Sequence, residues 1–189
     1  MATTEMRFSG LGGQGMILCA YVVGRAAAVI DGRHATLNQA FGPEARGSAC
    51  SAQLVVSDEP VMYPYVRGTD ILVAMSQDAY QCFVGEVRDG GTVIVDESLV
   101  TPGATDRVRV LTAPATLAAE KLGKRIAGNM VMAGVFTAAT GIVSPDAMRQ
   151  AIRESVPSGT EELNLAAFER GLEIGRSIAC PGEAVEARP

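Results

Sequence analysis

Apolar and polar positions fall in blocks along this chain, and the period changes from block to block. Arg7-Phe8-Ser9 starts a short strand that runs into Gly10-Leu11-Gly12-Gly13-Gln14-Gly15. Residues 16–30 are apolar and alanine-rich without proline, the texture of a helix largely buried in its fold. Asp31-Gly32 stops that helix, and residues 34–37 read as a second short strand. Residues 38–47 are polar and turn-rich, punctuated by Gly42, Pro43 and Gly47. Residues 51–57 alternate toward apolar and end in the turn Asp58-Glu59-Pro60. Continuous β-branched and apolar runs at 70–75 and 92–95 predict strands covered on both faces. Between them, 78–87 predicts a helix closed by Asp89-Gly90-Gly91. A strand at 108–111 leads to Pro114, at the first position of a helix reaching about Leu122.

The last third predicts helices. Residues 129–140 are nearly uncharged, so they form a buried helix too short to span a bilayer. Ser144 as N-cap and Pro145 in the first turn start the next helix. After the loop Pro157-Ser158-Gly159-Thr160, residues 161–176 form a final amphipathic helix. The runs at 26–28, 130–135 and 166–168 carry more apolar surface than a small domain must hide. They predict subunit interfaces, with core packing as the alternative. No repeat or long linker divides the chain. The strand, glycine turn, helix, strand order predicts the α/β class: a single Rossmann-like doubly wound domain over 1–180, with a mostly parallel sheet and a helical C-terminal third. A flexible tail covers 181–189.

Composition narrows the function. At 189 residues, 48% apolar and 20% charged, the chain is long enough for a substantial core. A net charge of −5 argues against nucleic acid as the main partner, although a local basic pocket still leaves room for an anionic small ligand. The first residues lack the pattern of a signal peptide, and no membrane span is visible, so the expectation is a cytoplasmic protein. Cys19, Cys50, Cys82 and Cys180 are far apart, which argues against structural disulfides and against cluster ligation, and no metal site is predicted.

Gly10, Gly12 and Gly15, with Gly13 and Gln14 between, match G-x-G-x-x-G at a strand-to-helix junction. Such a loop either cradles a phosphate on free amides at the helix start or is simply a tight turn. A dinucleotide site is harder to build, because the second strand ends near the uncharged Asn38 and Gln39, where a ribose-binding carboxylate belongs. In the second loop, Gly42, Pro43, Glu44, Arg46 and Gly47 set a carboxylate and a guanidinium between rigid and permissive backbone. Arg46 can grip a phosphate or carboxylate bidentately, or the pair can pin the loop. By the rule that loops after strand C-termini form the ligand edge, both loops, 76–78 and 96–98 gather on one side. His34 lacks a nucleophile or carboxylate signature around it and reads as structural.

These residues resemble the gamma subunit, or gamma domain, of the 2-oxoacid:ferredoxin oxidoreductases. The likeness is carried by the glycine loop, by Gly42-Pro43-Glu44-Ala45-Arg46-Gly47 and by Val55-Val56-Ser57-Asp58-Glu59-Pro60. Asp70-Ile71-Leu72-Val73-Ala74-Met75-Ser76-Gln77, Asn129-Met130-Val131 and Glu162-Leu163-Asn164-Leu165-Ala166-Ala167-Phe168 add to it. The matches run in order over nearly the whole chain; Ser48 departs from them where many relatives carry another glycine. The resemblance implies a complex that decarboxylates a 2-oxoacid, such as pyruvate or 2-oxoglutarate, on thiamine diphosphate with magnesium. Electrons pass through [4Fe-4S] clusters, and an acyl-coenzyme A is released. In that picture alpha and beta partners, and a ferredoxin-like delta partner, hold the cofactors, and this chain binds none alone. The acceptor is ferredoxin, or NAD through a flavoprotein subunit. The gamma chain carries no catalytic residue and helps form the coenzyme A entrance. The glycine loop, the second loop, Ser76, Gln77 and Asn129 face a ligand or a partner. The alternatives are a free-standing nucleotide-binding enzyme and a pure scaffold.

Overall fold

The computed structural model describes residues 3–42 and 47–179. Among these residues, six strands form one sheet: β1 (Thr3–Leu11), β2 (His34–Phe41), β3 (Ala49–Ser57), β4 (Thr69–Ala74), β5 (Val87–Asp96) and β6 (Arg109–Ala113). Their spatial order is β2-β3-β1-β4-β5-β6. β1, β4, β5 and β6 pair in parallel, and β3 is antiparallel to both neighbours. Only β3 is reversed, so β2 runs the same way as β1. The α/β fold, its mostly parallel sheet and its helical last third match expectation. The simple opening βαβ unit does not form, because β3 wedges between β1 and β2. The tail at 181–189 lies outside the described residues.

Helices cover the two faces unequally. α1 (Met16–Arg25), α3 (Ala115–Lys121), α4 (Gly128–Thr140), α5 (Pro145–Ser155) and α6 (Glu161–Ala179) pack with the main core on one face. Among the described residues, α2 (Gln77–Phe83) and its 3-10 extension at Val84–Glu86 cover the other, together with Val100 and Val108. Strand alternation produces this division. Met6 and Phe8 are fully buried toward α4, where the Phe8 and Phe136 rings lie 5.3 Å apart. Arg7 emerges on the α2 face, salt-bridged to Glu86 at 2.8 Å and stacked 4.2 Å over Phe83. Without those partners, a strand between two covered faces could not carry a guanidinium.

The predicted helix at 16–30 exists, with its last stretch, Ala26–Ile30, widened to a π-helix. The predicted helix at 78–87 is shorter. Asp89-Gly90-Gly91 does not close it but lies inside β5. Gly90 has φ +78, and the β4–β5 register shifts there, so these glycines mark a strand irregularity instead of a turn. The polar stretch at 38–41 is also strand, since β2 lies at the sheet edge, where polar residues meet water. Pro114 is the N-cap of α3, one position before the helix. Ser144 caps α5 as expected, accepting from the Ala147 amide. The apolar runs expected at interfaces are mostly core: Ala26, Ala27, Met130, Val131, Met132, Ala133, Val135, Ala167 and Phe168 are buried within the chain. Among the described residues, no helix is long and apolar enough to cross a membrane.

Candidate functional site

Because β1, β2, β4 and β5 all point one way and β3 begins where they end, one rim of the sheet collects the predicted loops. The glycine loop leaves β1, the 42–48 loop joins β2 to β3, and Ser76 and Asp96 stand at the ends of β4 and β5. The first two loops are stitched together: the Gly12 amide donates to the Ser48 carbonyl at 2.8 Å, and the Gly47 amide to the Gly12 carbonyl at 3.2 Å. Gly42 closes the second loop by donating to the Ala49 carbonyl at 2.9 Å. Pro43, Glu44 and Arg46 lie outside the described residues.

Gln14 is the clamp of the glycine loop. Its side-chain oxygen accepts from the Leu11 amide, and its nitrogen donates to the Met75 carbonyl, both at 2.6 Å. A Cβ at Gly10 would strike that Gln14 oxygen, so Gly10 is required for the clamp to fit. Gly15 turns into α1 at φ +76, and Asn129, buried at the start of α4, donates to its carbonyl at 3.1 Å. The amides of Leu11, Gly12 and Gln14 are therefore already satisfied within the protein. Gly13, at φ +99, faces open space. This loop is first a structural joint, and it offers a ligand fewer free amides than its spacing suggests.

Three clefts open around the joint. One of about 430 Å³, on the α2 face, is lined by Ser9, Phe41, Gly42, Cys50, Asp78 and Cys82. A second, of about 330 Å³, lies between Gly13, Gln14, Met75, Thr116, Arg125 and Asn129. A third, of about 480 Å³, runs from Gly12 and Gly15 along α1 to Tyr21, Gln39 and Phe41. Ser76 lies on the same rim but works as the N-cap of α2, accepting from the Ala79 amide at 3.2 Å. Gln77 turns to Thr101, whose amide donates to its side-chain oxygen at 2.8 Å. Asp96 is fully buried and accepts from the Ser98 and Thr116 amides.

Thr116 and Arg125 are rim residues that the sequence did not single out. Extending the strand-end rule from β5 to β6 finds Thr116. Arg125 has no such signal, because the α3–α4 connection brings it back to the rim. Along the sequence Cys50 and Cys82 are only isolated thiols, yet the fold places both at the first cleft.

Further observations bear on what the described part of this rim can do. His34 is exposed at the start of β2, the end of that strand away from the rim. Burial pushes the Cys19 thiol up to about 12 and raises Cys50 as well, so both stay protonated. No group of three or more His, Cys, Asp or Glu among the described residues could hold a metal ion. A dinucleotide site also lacks its geometry. With β3 interposed, β2 lies about two strand spacings, roughly 10 Å, from β1, and among the described residues carries no carboxylate near its end.

The sequence over residues 5–174 matches the family model described as pyruvate ferredoxin/flavodoxin oxidoreductase. The 2-oxoglutarate synthase subunit KorC of Methanocaldococcus jannaschii is 45% identical over 177 residues, covering 92% of this chain and 95% of that protein. The pyruvate synthase subunit PorC of Methanothermobacter thermautotrophicus is 34% identical over 173 residues, covering 89% and 94%. The solved gamma subunit of a keto/oxoacid ferredoxin oxidoreductase from Geobacter sulfurreducens PCA superposes with a TM-score of 0.80 at 35% identity, covering 91% of this chain and 98% of that one. With the family model over residues 5–174 and relatives matched over nearly their full length, the chain belongs to the pyruvate ferredoxin/flavodoxin oxidoreductase family, as a gamma-type subunit.

Proposed function

We propose that this chain is the gamma subunit of a 2-oxoglutarate:acceptor oxidoreductase and supplies one wall of its coenzyme A entrance. The substrate class follows the KorC relative, which is more similar than PorC. The overall reaction converts a 2-oxoacid, coenzyme A and two oxidised ferredoxins to acyl-coenzyme A, CO2, two reduced ferredoxins and a proton. Alpha and beta partners carry thiamine diphosphate with magnesium, and they or a ferredoxin-like delta chain carry [4Fe-4S] clusters. The complex works in the cytoplasm, and the isolated chain is inactive.

One observation carries the coenzyme A reading: the joined loops put Gly12, Gly13, Asn129 and the Arg125 guanidinium around adjacent clefts. Glycine backbone and a guanidinium suit a phosphate-bearing, extended ligand whose reactive end reaches a neighbouring subunit. Gly10, Gly15, Gln14, Gly42 and Gly47 hold the rim's shape, with Ser76 and Gln77 fixing the adjoining turn. The test is reconstitution of the partner subunits with and without this chain, followed by viologen dye reduction with 2-oxoglutarate and coenzyme A. Activity is expected only with the chain present. Full activity without it overturns the reading, and faster turnover of pyruvate than 2-oxoglutarate overturns the substrate assignment.

A further inference from the structure

Two of the clefts around the joint differ in kind, and one residue joins them. Thr116 and Asn129, 6% and 5% exposed, both line the cleft of about 330 Å³. The Thr116 amide donates to Asp96, but its hydroxyl meets no partner among the described residues and opens onto the cleft. The Asn129 side-chain nitrogen donates to the Gly15 carbonyl at 3.1 Å. Only the nitrogen can face a carbonyl, so the amide is fixed with its oxygen left free as an acceptor at the same cleft. Hydrogen-bonding groups buried to this degree cost free energy unless a ligand or water meets them. Met75 and Leu99 wall the cleft, and Ile126 stands beside them 68% exposed. The cleft of about 480 Å³ is apolar for most of its length, along Met16, Ile17, Leu18, Tyr21 and Phe41. Among the described residues, only Gly13 lines both. Its φ of +99 and the open space around it keep the threshold between them clear of any side chain.

Building on the coenzyme A reading, on which the inference rests, we propose that the ligand lies across Gly13 in one direction. Its adenine occupies the Thr116–Asn129 cleft, and its pantetheine arm follows the apolar one. Adenine carries an amino donor beside a ring-nitrogen acceptor on one edge, which matches an amide oxygen and a hydroxyl bordering one cleft. Its flat faces are weakly hydrated, and stacking them against Met75, Leu99 and Ile126 takes apolar surface out of water, including the exposed Ile126. Arg125, paired with Glu120 only loosely at 3.8 Å, lines the same cleft and can meet the ribose 3′-phosphate. The reverse direction sets the purine edge against the largely apolar α1 wall and leaves two buried polar atoms unmet. The thiol then emerges at the Tyr21–Phe41 end, so the subunit carrying the reactive centre docks there and not beside Arg125.

Photolabelling of the assembled complex with 8-azidocoenzyme A, followed by peptide mapping, reads the direction. The azide sits on the base, so label is expected at Met75, Leu99 or Ile126, and excess coenzyme A should prevent it. Protectable label at Tyr21 or Phe41 overturns the direction while leaving the coenzyme A reading intact. Protectable label on the partner subunits alone overturns both. Kinetics gives a second readout through ethenocoenzyme A, whose bridge consumes the amino donor and the ring nitrogen beside it. In the wild-type complex its KM should lie roughly tenfold or more above that of coenzyme A. Thr116→Val keeps the side chain's shape and removes the hydroxyl. It should raise the KM for coenzyme A roughly threefold to tenfold and leave that of the etheno analogue in place, narrowing the gap. Thr116→Ser should restore the gap. A gap that Thr116→Val leaves unchanged overturns the placement of the base.

Discussion

Cys19 and Cys82 differ by environment alone. Cys19 sits in the main core with its thiol raised to about 12 by burial, whereas Cys82 is exposed on α2. In the unfolded chain Cys19 titrates near pH ~8.5. The raised folded value gives the linkage its sign: between about 8.5 and 12 the unfolded state can ionise Cys19 and the native state cannot. Its contribution is complete below pH ~8.5 and is lost as pH rises through that window. Measured by urea unfolding, the stability difference between wild type and Cys19→Ala should therefore shrink from pH 7 to pH 10. In a Cys180→Ser chain, Cys82 should react with a disulfide reagent at pH 8 while Cys19 and Cys50 wait for unfolding. A fast Cys19 would contradict its burial. Along the sequence all these thiols are equally isolated; only packing tells them apart, and spacing along the chain carries no such information.

At the scale of elements, α4 and α6 touch backbone to backbone. A Cβ at Gly134 would run into the Phe168 carbonyl and lie 2.7 Å from the Leu172 amide, and one at Gly171 would meet the Val131 carbonyl. Neither obstacle is a flexible side chain, so relief requires the helices to separate. Gly134→Ala should cost about 3 kcal/mol in denaturant unfolding, at the top of the range for overpacked cores. Gly128→Ala, at the start of the same helix and no closer than 3.5 Å to any neighbour, should be neutral or stabilising by up to about 1 kcal/mol. Equal effects would show that propensity, not the crossing, decides. The existence of α4 was legible from its nearly uncharged run of apolar and small residues, and that of α6 from its amphipathic pattern. Their destination was not. The same apolar density that suggested an interface at 130–135 is consumed inside the chain, because glycines let α6 approach closely enough to cover it. Among the described residues, the large apolar side chains left exposed include Phe41, Met62 and Tyr63, on a strand and loop whose mixed composition raised no such expectation.

For the whole molecule, the consequential step is the reversal of β3. It returns β2 to the direction of β1, so the 42–48 loop arrives at the rim where β1, β4 and β5 end and can be sewn to Gly12. Strand-end logic foresaw that gathering from Gly10 to Gly15, Gly42 and Ser76. It could not foresee the wedge, since β2 and β3 have the same short alternating pattern whichever neighbour they pair with. Arg46 lies between Gly42 and Gly47, two residues whose amides anchor this rim. If it grips a coenzyme A phosphate, Arg46→Ala removes a charge-assisted bond. The KM for coenzyme A in the assembled complex should then rise roughly ten- to a hundredfold, with kcat and subunit content little changed. Arg46→Lys should recover part of the loss, since it keeps the charge but not the planar fork. A scaffold role gives a different signature: the alanine variant would fail to co-purify with its partners, and the KM of whatever complex remained would be normal. Chromatography and coenzyme A titration on one preparation separate the two, because loss of contact with a partner lowers the yield of complex and loss of a ligand contact does not.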